Sequence, residues 1–324
     1  TASSGEIEMD WSLTEMQSAI KELSGKILRE SKSPWNDLLK SDLLGLEEPT
    51  DIATLLIEVG RNGARVPALA TLVLGAPIGK FGKAPKAGTV LTAGLIEEGS
   101  RNPRNARTRV ESGKIYGEKV CVPAIHEAES IVVPTSEGVY AAAVKDCELI
   151  EQTGTDDDPL GCVRFDGTPG IRLGGEEVLD WWLPRVDLGV SALLLGLSKK
   201  ALKLTSAYLK ERQQFNRAIG SFQAVQQRAG DAWIQSQAME ATLWQAAWRL
   251  EQGKEAEREI AIARYWASEG SHFICASAQH LHGGYGFDRD YELHRYFLSA
   301  KQHEFLLGGA NAQLQKLGDL LAAS

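Results

Sequence analysis

Tyr208–Gln227 reads YLKERQQFNRAIGSFQAVQQ and ends a run in which Val190, Leu194, Leu197, Ala201, Leu204 and Tyr208 recur at steps of four and three. That recurrence is one buried face of a long helix. The planar fork of Arg212 suits a pyrophosphate, which it can hold through two parallel hydrogen bonds. Gln214 adds a neutral amide donor, and the ring of Phe215 or Phe222 can lie against an adenine. Taken singly, these residues also describe a solvated arginine at a helix end and phenylalanines filling a bundle core. A second segment, Ala278–Lys301, AQHLHGGYGFDRDYELHRYFLSAK, places Gly283, Gly284 and Gly286 after another long helical run, Glu255–Gln279. Glycines in a row usually mark a turn. Between two helices they also form a tight joint where a ligand can approach backbone amides.

Together the two segments resemble the carboxy-terminal helical domain of acyl-CoA dehydrogenases. In that family an Arg-x-x-Phe element, a following Phe-Gln pair and a distal Gly-Gly-x-Gly hold the ADP half of FAD, mainly for the neighbouring subunit. The corresponding positions are Arg212, Gln214, Phe215, Phe222, Gln223, Gly283, Gly284 and Gly286. Five of them fall within the twelve residues 212–223, which favours the nucleotide over the solvated arginine. The family commonly has glutamine three residues before the first glycine, where this chain has His280. An imidazole there either donates one hydrogen bond to a phosphate or ribose or packs on its helix without a ligand.

The resemblance covers essentially the whole chain and implies an α+β fold in three parts: an N-terminal helical domain over 1–88, a middle β-barrel-like domain over 89–184 and a C-terminal four-helix bundle over 185–324. The residue pattern agrees. Ser12-Leu-Thr-Glu15 is a capping box ahead of a face formed by Met16, Ile20, Leu23 and Ile27. Ser33-Pro34 opens a second helix and Asp51–Arg61 forms a third. Short β-rich runs follow at Thr89–Leu95, Lys114–Val122, Ser130–Pro134, Val139–Val144, Cys147–Thr153 and Cys162–Asp166, as for antiparallel strands of a small barrel. Gly154–Pro159, GTDDDP, reads as an exposed turn. From Asp187, a helix cap, the chain is helical, and Val225, Ala229, Ala232, Ser236, Met239, Leu243, Ala246 and Leu250 form a second seam ended by Gly253.

Composition narrows the partners. The 324 residues carry a net charge of −8, and no Lys/Arg cluster runs longer than a pair, which argues against nucleic acid. Coenzyme A has few phosphates and needs only a few local cations. Cys121, Cys147, Cys162 and Cys275 show no metal-ligand spacing and read as buried free thiols of a cytoplasmic protein. TASSGEIEMDW at the start lacks the basic and apolar regions of a secretory signal, and no apolar run approaches the ~18 residues of a membrane span.

The expected chemistry is incomplete. The family removes the α-proton of an acyl thioester with a carboxylate while hydride leaves the β-carbon for the flavin. That glutamate sits in an aromatic-Glu-Gly element after an Ala-Lys pair. Here Ala300–Lys301 leads to EFLLGG, with Leu307 in the glutamate's place. Relatives with a relocated base carry it on a helix before the Arg-x-x-Phe element, and DLGVSALLLGLSKKALK at 187–203 has no acid after Asp187. Glu304 and Glu211 remain as alternatives and read as surface carboxylates. The flavin-facing Thr-Glu-Pro-x-x-Gly-Ser element survives as a trace in LIEEGS at 95–100, and Pro123 replaces a hydroxyl after Gly117-Glu-Lys119.

Loss of the base and flavin face beside a retained ADP motif resembles the smaller, silent subunit of heteromeric acyl-CoA dehydrogenases. These are α2β2 tetramers of bacterial steroid side-chain degradation. The resemblance implies FAD, a larger catalytic partner subunit, a bulky acyl-CoA substrate and an electron acceptor such as electron-transfer flavoprotein. A self-sufficient dehydrogenase with its base at Glu304 or Glu211, and a non-enzymatic acyl-CoA or subunit scaffold, stand as alternatives.

Overall fold

The structure, a computed structural model, describes residues 12–323. TASSGEIEMDW, where no secretory signal is expected, lies outside them. Four helices come first: α1 Glu15–Glu30, α2 Pro34–Lys40, α3 Pro49–Asn62 and α4 Ala76–Phe81. The capping box lies two residues further on than expected. Thr14 Oγ1 accepts from the Gln17 amide at 3.2 Å, and the Gln17 side chain accepts from the Thr14 amide at 3.0 Å. Thr-x-x-Gln satisfies the same free amides as Ser-x-x-Glu. At α2, Ser33 is the N-cap residue as expected but makes no side-chain capping bond; the Ser31 hydroxyl instead accepts from the Ser33 amide and donates to Asp37.

The middle region contains β1 Leu91–Ala93, β2 Arg109–Glu111, β3 Lys114–Pro123, β4 Ser130–Thr135, β5 Gly138–Ala143, β6 Glu148–Thr153, β7 Pro159–Pro169 and β8 Ile171–Gly174. They form two four-stranded sheets, ordered β1-β4-β5-β8 and β2-β3-β7-β6. The antiparallel expectation fails at one place, because β1 lies parallel to β4 with Leu91 opposite Ser130. Antiparallel neighbours can be joined by a tight turn, whereas parallel ones need a long crossover. Here the excursion through β2 and β3 supplies it. A second core of Ile115, Ile131, Val133, Val163 and Phe165 fills the interior.

Seven further elements follow: α5 Glu176–Glu211, the two-residue strands β9 Gln213–Gln214 and β10 Arg217–Ala218, α6 Gln223–Glu251, α7 Glu257–His282, α8 Leu293–Glu304 and, at the end, α9 Ala310–Ala323. The expected start of the bundle at 185 is corrected, since α5 begins at Glu176 and runs through Pro184. Its first turns are held by burial of Val178, Leu179 and Trp182 and by the Trp182 indole donating to the Val73 carbonyl at 3.0 Å. Asp187 is accordingly not a cap. It is buried in mid-helix. The two expected seams hold: Val190, Leu194, Leu197 and Ala201 of α5, and Ala232, Ser236, Met239, Leu243 and Ala246 of α6, are buried.

The N-terminal helices meet the bundle where α3 crosses α5 at a glycine pair. A Cβ on Gly60 would stand 2.3 Å from the Leu193 carbonyl, and one on Gly196 would stand 2.1 Å from that of Ile57. Gly154–Pro159 is more than the exposed turn expected. Asp156 is buried, Asp158 pairs with Arg65 at 2.9 Å, Asp157 pairs with Arg289, and the Thr155 amide donates to Gln302 at 2.7 Å. The turn thus fastens the middle sheets to the helices on either side. Of the expected buried thiols, Cys162 and Cys275 are buried, but Cys121 is exposed at a bulge in β3. No helix among the described residues is long and apolar enough to cross a membrane.

Candidate cofactor-binding site

The decisive segment folds as a hairpin at the end of α5. Helical hydrogen bonding stops because Arg212 adopts extended backbone, φ −68° and ψ 126°, while its amide still donates to the Tyr208 carbonyl at 2.9 Å. β9 and β10 then pair antiparallel, with Gln214 opposite Arg217. Phe215 and Asn216 turn the hairpin with φ of 52° and 61°. Left-handed backbone at both central residues matches the natural twist of two strands. Asparagine tolerates it, but phenylalanine rarely adopts it. The Phe215 ring gains little packing in exchange, being 86% exposed. Strain of this kind persists where the surroundings or a function demand it. The Ile219 amide donates to the Arg212 carbonyl at 2.8 Å, folding the hairpin back on the helix end. Phe222 meets Phe215 edge-on at 6.1 Å, and exposed Gln223 opens α6.

The glycine joint lies beside this hairpin. α7 ends at His282, and Gly283 adopts φ 61° and ψ −133°, a conformation that excludes other residues. Gly283 and Gly284 are exposed, and a Cβ on either would project into open space, so a ligand can approach the bare backbone. Gly286 is buried for a packing reason, since its Cβ would lie 2.4 Å from the Gln279 carbonyl. Tyr208, one turn before Arg212, joins the two segments. Its hydroxyl donates to the His282 carbonyl at 3.3 Å and its ring stacks on the His282 ring at 4.4 Å. The sequence placed Tyr208 only on the repeating face of the helix and did not single out His282. Burial lowers the pKa of His282, and its Nδ1 lies 2.7 Å from the Ala278 carbonyl with Nε2 3.2 Å from the Tyr291 hydroxyl. His280, by contrast, is exposed on the last turn of α7, so the packed-histidine alternative does not hold.

The middle region has a different character at the expected flavin face. Glu97 turns inward, where its Oε1 accepts from Lys119 Nζ and Thr108 Oγ1, each at 2.7 Å, and Oε2 accepts from the Arg107 amide at 2.8 Å. The side chains of Lys119 and Glu97 are only 1% and 7% exposed. Burial would raise the carboxyl pKa, but the Lys119 ammonium and these donors hold it down at about 2. Burial also lowers the pKa of Lys119 against the pull of Glu97. Pro123, without a donor of its own, gives its carbonyl to Thr92 Oγ1 at 2.6 Å.

The segment around Leu307 is similarly closed. Glu304 is not the surface carboxylate expected, being buried and accepting from Lys301 Nζ at 2.6 Å. Glu211 is exposed at the last turn of α5, as expected. Leu307 has φ 56° and packs against the main core. The fully buried Arg264, which the sequence did not single out, donates to the carbonyls of Glu304 at 3.1 Å and Leu306 at 2.9 Å, holding this turn. Its Nε lies 3.7 Å from Asp187. A cleft of about 360 Å³ between the middle sheets and the helices is lined by Val59, Cys121, Asp156, Leu193, Arg295 and Leu306, with neither Glu304 nor Glu211 on its wall.

An exposed arginine-bearing hairpin at the end of a long bundle helix, a bare glycine joint near it, and a two-sheet domain between helical ones make up the architecture of acyl-CoA dehydrogenases. The comparisons agree. Residues 181–321 match the acyl-CoA dehydrogenase C-terminal domain. The acyl-CoA dehydrogenase FadE27 of Mycobacterium tuberculosis is 32% identical, over 93% of this chain and 91% of its own length. Two solved structures superpose with a TM-score of 0.89. The Tcur3481-Tcur3483 steroid ACAD G363A variant is 32% identical, covering 96% of this chain and 99% of that one. The ChsE4-ChsE5 complex from Mycobacterium tuberculosis is 29% identical, covering 98% and 100%. The chain belongs to the acyl-CoA dehydrogenase family, whose cofactor is FAD.

Proposed function

We propose that this chain is the smaller, catalytically silent subunit of a heteromeric FAD-dependent acyl-CoA dehydrogenase, an α2β2 tetramer, and that it completes the ADP half of the FAD site of its larger partner. The observation that carries the reading is a division within one chain. The Arg212 hairpin and the Gly283–Gly284 joint face solvent, whereas the middle domain closes on the Lys119–Glu97 pair and Leu307 stands in place of a base. The donor set fits an ADP group. Arg212 holds the pyrophosphate, Gln214, Gln223 and His280 add donors, Phe215 and Phe222 flank the adenine, and Gly283 and Gly284 admit it to the backbone. FAD, when bound, accepts the hydride. The carboxylate, the isoalloxazine pocket and most of the thioester site belong to the partner.

Similarity to two two-component assemblies, one of them described as a steroid ACAD, supports the subunit role and a bulky polycyclic acyl-CoA as the substrate class. An electron-transfer flavoprotein is the fitting acceptor, and the cytoplasm the fitting location. The isolated chain is expected to purify with little FAD and no acyl-CoA oxidation. A stoichiometrically yellow, active homo-oligomer would instead favour a relocated base, and an FAD-free complex would favour a scaffold.

The direct test is Arg212→Ala in the complex obtained by co-expression with the larger catalytic subunit. A charged hydrogen bond contributes about 1.5–3 kcal/mol, so FAD affinity should fall by at least about tenfold, with Arg212→Lys recovering only part. Native mass and flavin absorbance read the result. Undiminished FAD binding in the alanine variant would overturn the reading.

A further inference from the structure

We propose that Arg217 is a second guanidinium for the same pyrophosphate, so that the hairpin grips the ADP group from both of its strands. This inference rests on the proposed function and adds a residue to that site. Arg217 stands directly opposite Gln214 in the β9–β10 ladder. Directly opposed residues of an antiparallel pair project to the same side. Arg217 therefore shares a face with a residue already assigned to the nucleotide.

Its guanidinium is also held in place. The Arg217 Cζ sits 4.0 Å from the centroid of the Phe222 ring, which in turn meets Phe215 edge-on. A guanidinium resting flat on an aromatic face keeps its N–H groups directed outward in the ring plane, free to donate. Among the described residues neither Arg212 nor Arg217 has a carboxylate partner, although the chain has 43 acidic residues against 35 Lys and Arg. The hairpin segment thus carries two guanidiniums without a carboxylate partner, a pair of donors that one anion can join. A pyrophosphate, with a charge on each phosphate, matches two guanidiniums. Phe222 accordingly serves Arg217 as a platform as well as flanking the adenine.

The test uses the co-expressed complex stripped of FAD and titrated separately with FAD and with ADP. Arg217→Met keeps an unbranched side chain beside Phe222 but removes the charge and the guanidinium–ring contact. It is expected to weaken both ligands about tenfold and to lower the salt dependence of ADP binding, with the thermal stability of the stripped complex unchanged. Arg217→Lys should restore part of the affinity and the salt dependence. Wild-type affinity in Arg217→Met would reduce Arg217 to a packing residue and overturn the inference. If Arg212→Ala loses FAD while Arg217→Met does not, the inference fails and the proposed function stands. If neither loses it, both fail.

Discussion

Lys119→Met should destabilise this chain by about 3–5 kcal/mol, a substantial part of the stability of an ordinary domain. The substitution keeps most of the volume but leaves Glu97 as a buried carboxylate without its buried ammonium, retaining Thr108, the Arg107 amide and the exposed Arg107 guanidinium at 3.5 Å. Denaturant unfolding of the middle domain measures the effect. The double variant Glu97→Leu with Lys119→Met should regain most of the loss, because exchanging both members of a buried pair for apolar groups is often neutral. A single variant as stable as the parent would mean that water reaches the pair. The same pair sets an acid limit. Glu97 titrates at about 2 rather than the usual 4.5, so its contribution is full above pH 4.5 and is lost as pH falls through about 2. Glu97→Gln should flatten the stability profile across that window.

Arg264→Met should have a comparable effect at the other end of the molecule. The guanidinium donates to the carbonyls of His303, Glu304 and Leu306 and to Ser268 Oγ at 2.5 Å, all at the C-terminal end of α8 or within α7. Removing it takes the arginine donor from the Glu304 and Leu306 carbonyls and leaves Asp187, whose pKa burial raises, with Lys316 at 4.0 Å as its remaining cation. A loss of about 3–5 kcal/mol is expected, and Arg264→Lys should not restore it, since an ammonium cannot span three carbonyls and a hydroxyl. Hydrogen exchange should accelerate at 303–309 and remain slow through α5. Unchanged protection at 303–309 would show that core packing of Leu306 and Leu307 holds the turn without the arginine.

The long amphipathic seams of α5 and α6 could be read from the chain because each helix repeats its apolar residues along one face, a local property. The β-rich runs were legible for the same reason, and the Arg212–Gln223 and Gly283–Gly286 motifs because their chemistry lies in contiguous residues. Sequence alone did not join those motifs. Tyr208 does so by stacking on His282, a contact between α5 and α7 with no local signature. The parallel pairing of β1 with β4, the docking of the Gly154–Pro159 turn and the burial of Asp187, Glu304 and Arg264 escaped for a related reason. A charged side chain reads as surface until its partner is known, and here the partners come from distant elements: Lys119 for Glu97, Arg65 and Arg289 for the turn, and α7 for the end of α8. Local patterns of polarity thus determined which segments are helix and which are strand. Tertiary packing decided which charges are buried, because burying a charge becomes tolerable only when the fold brings its counter-charge and donors within hydrogen-bonding distance.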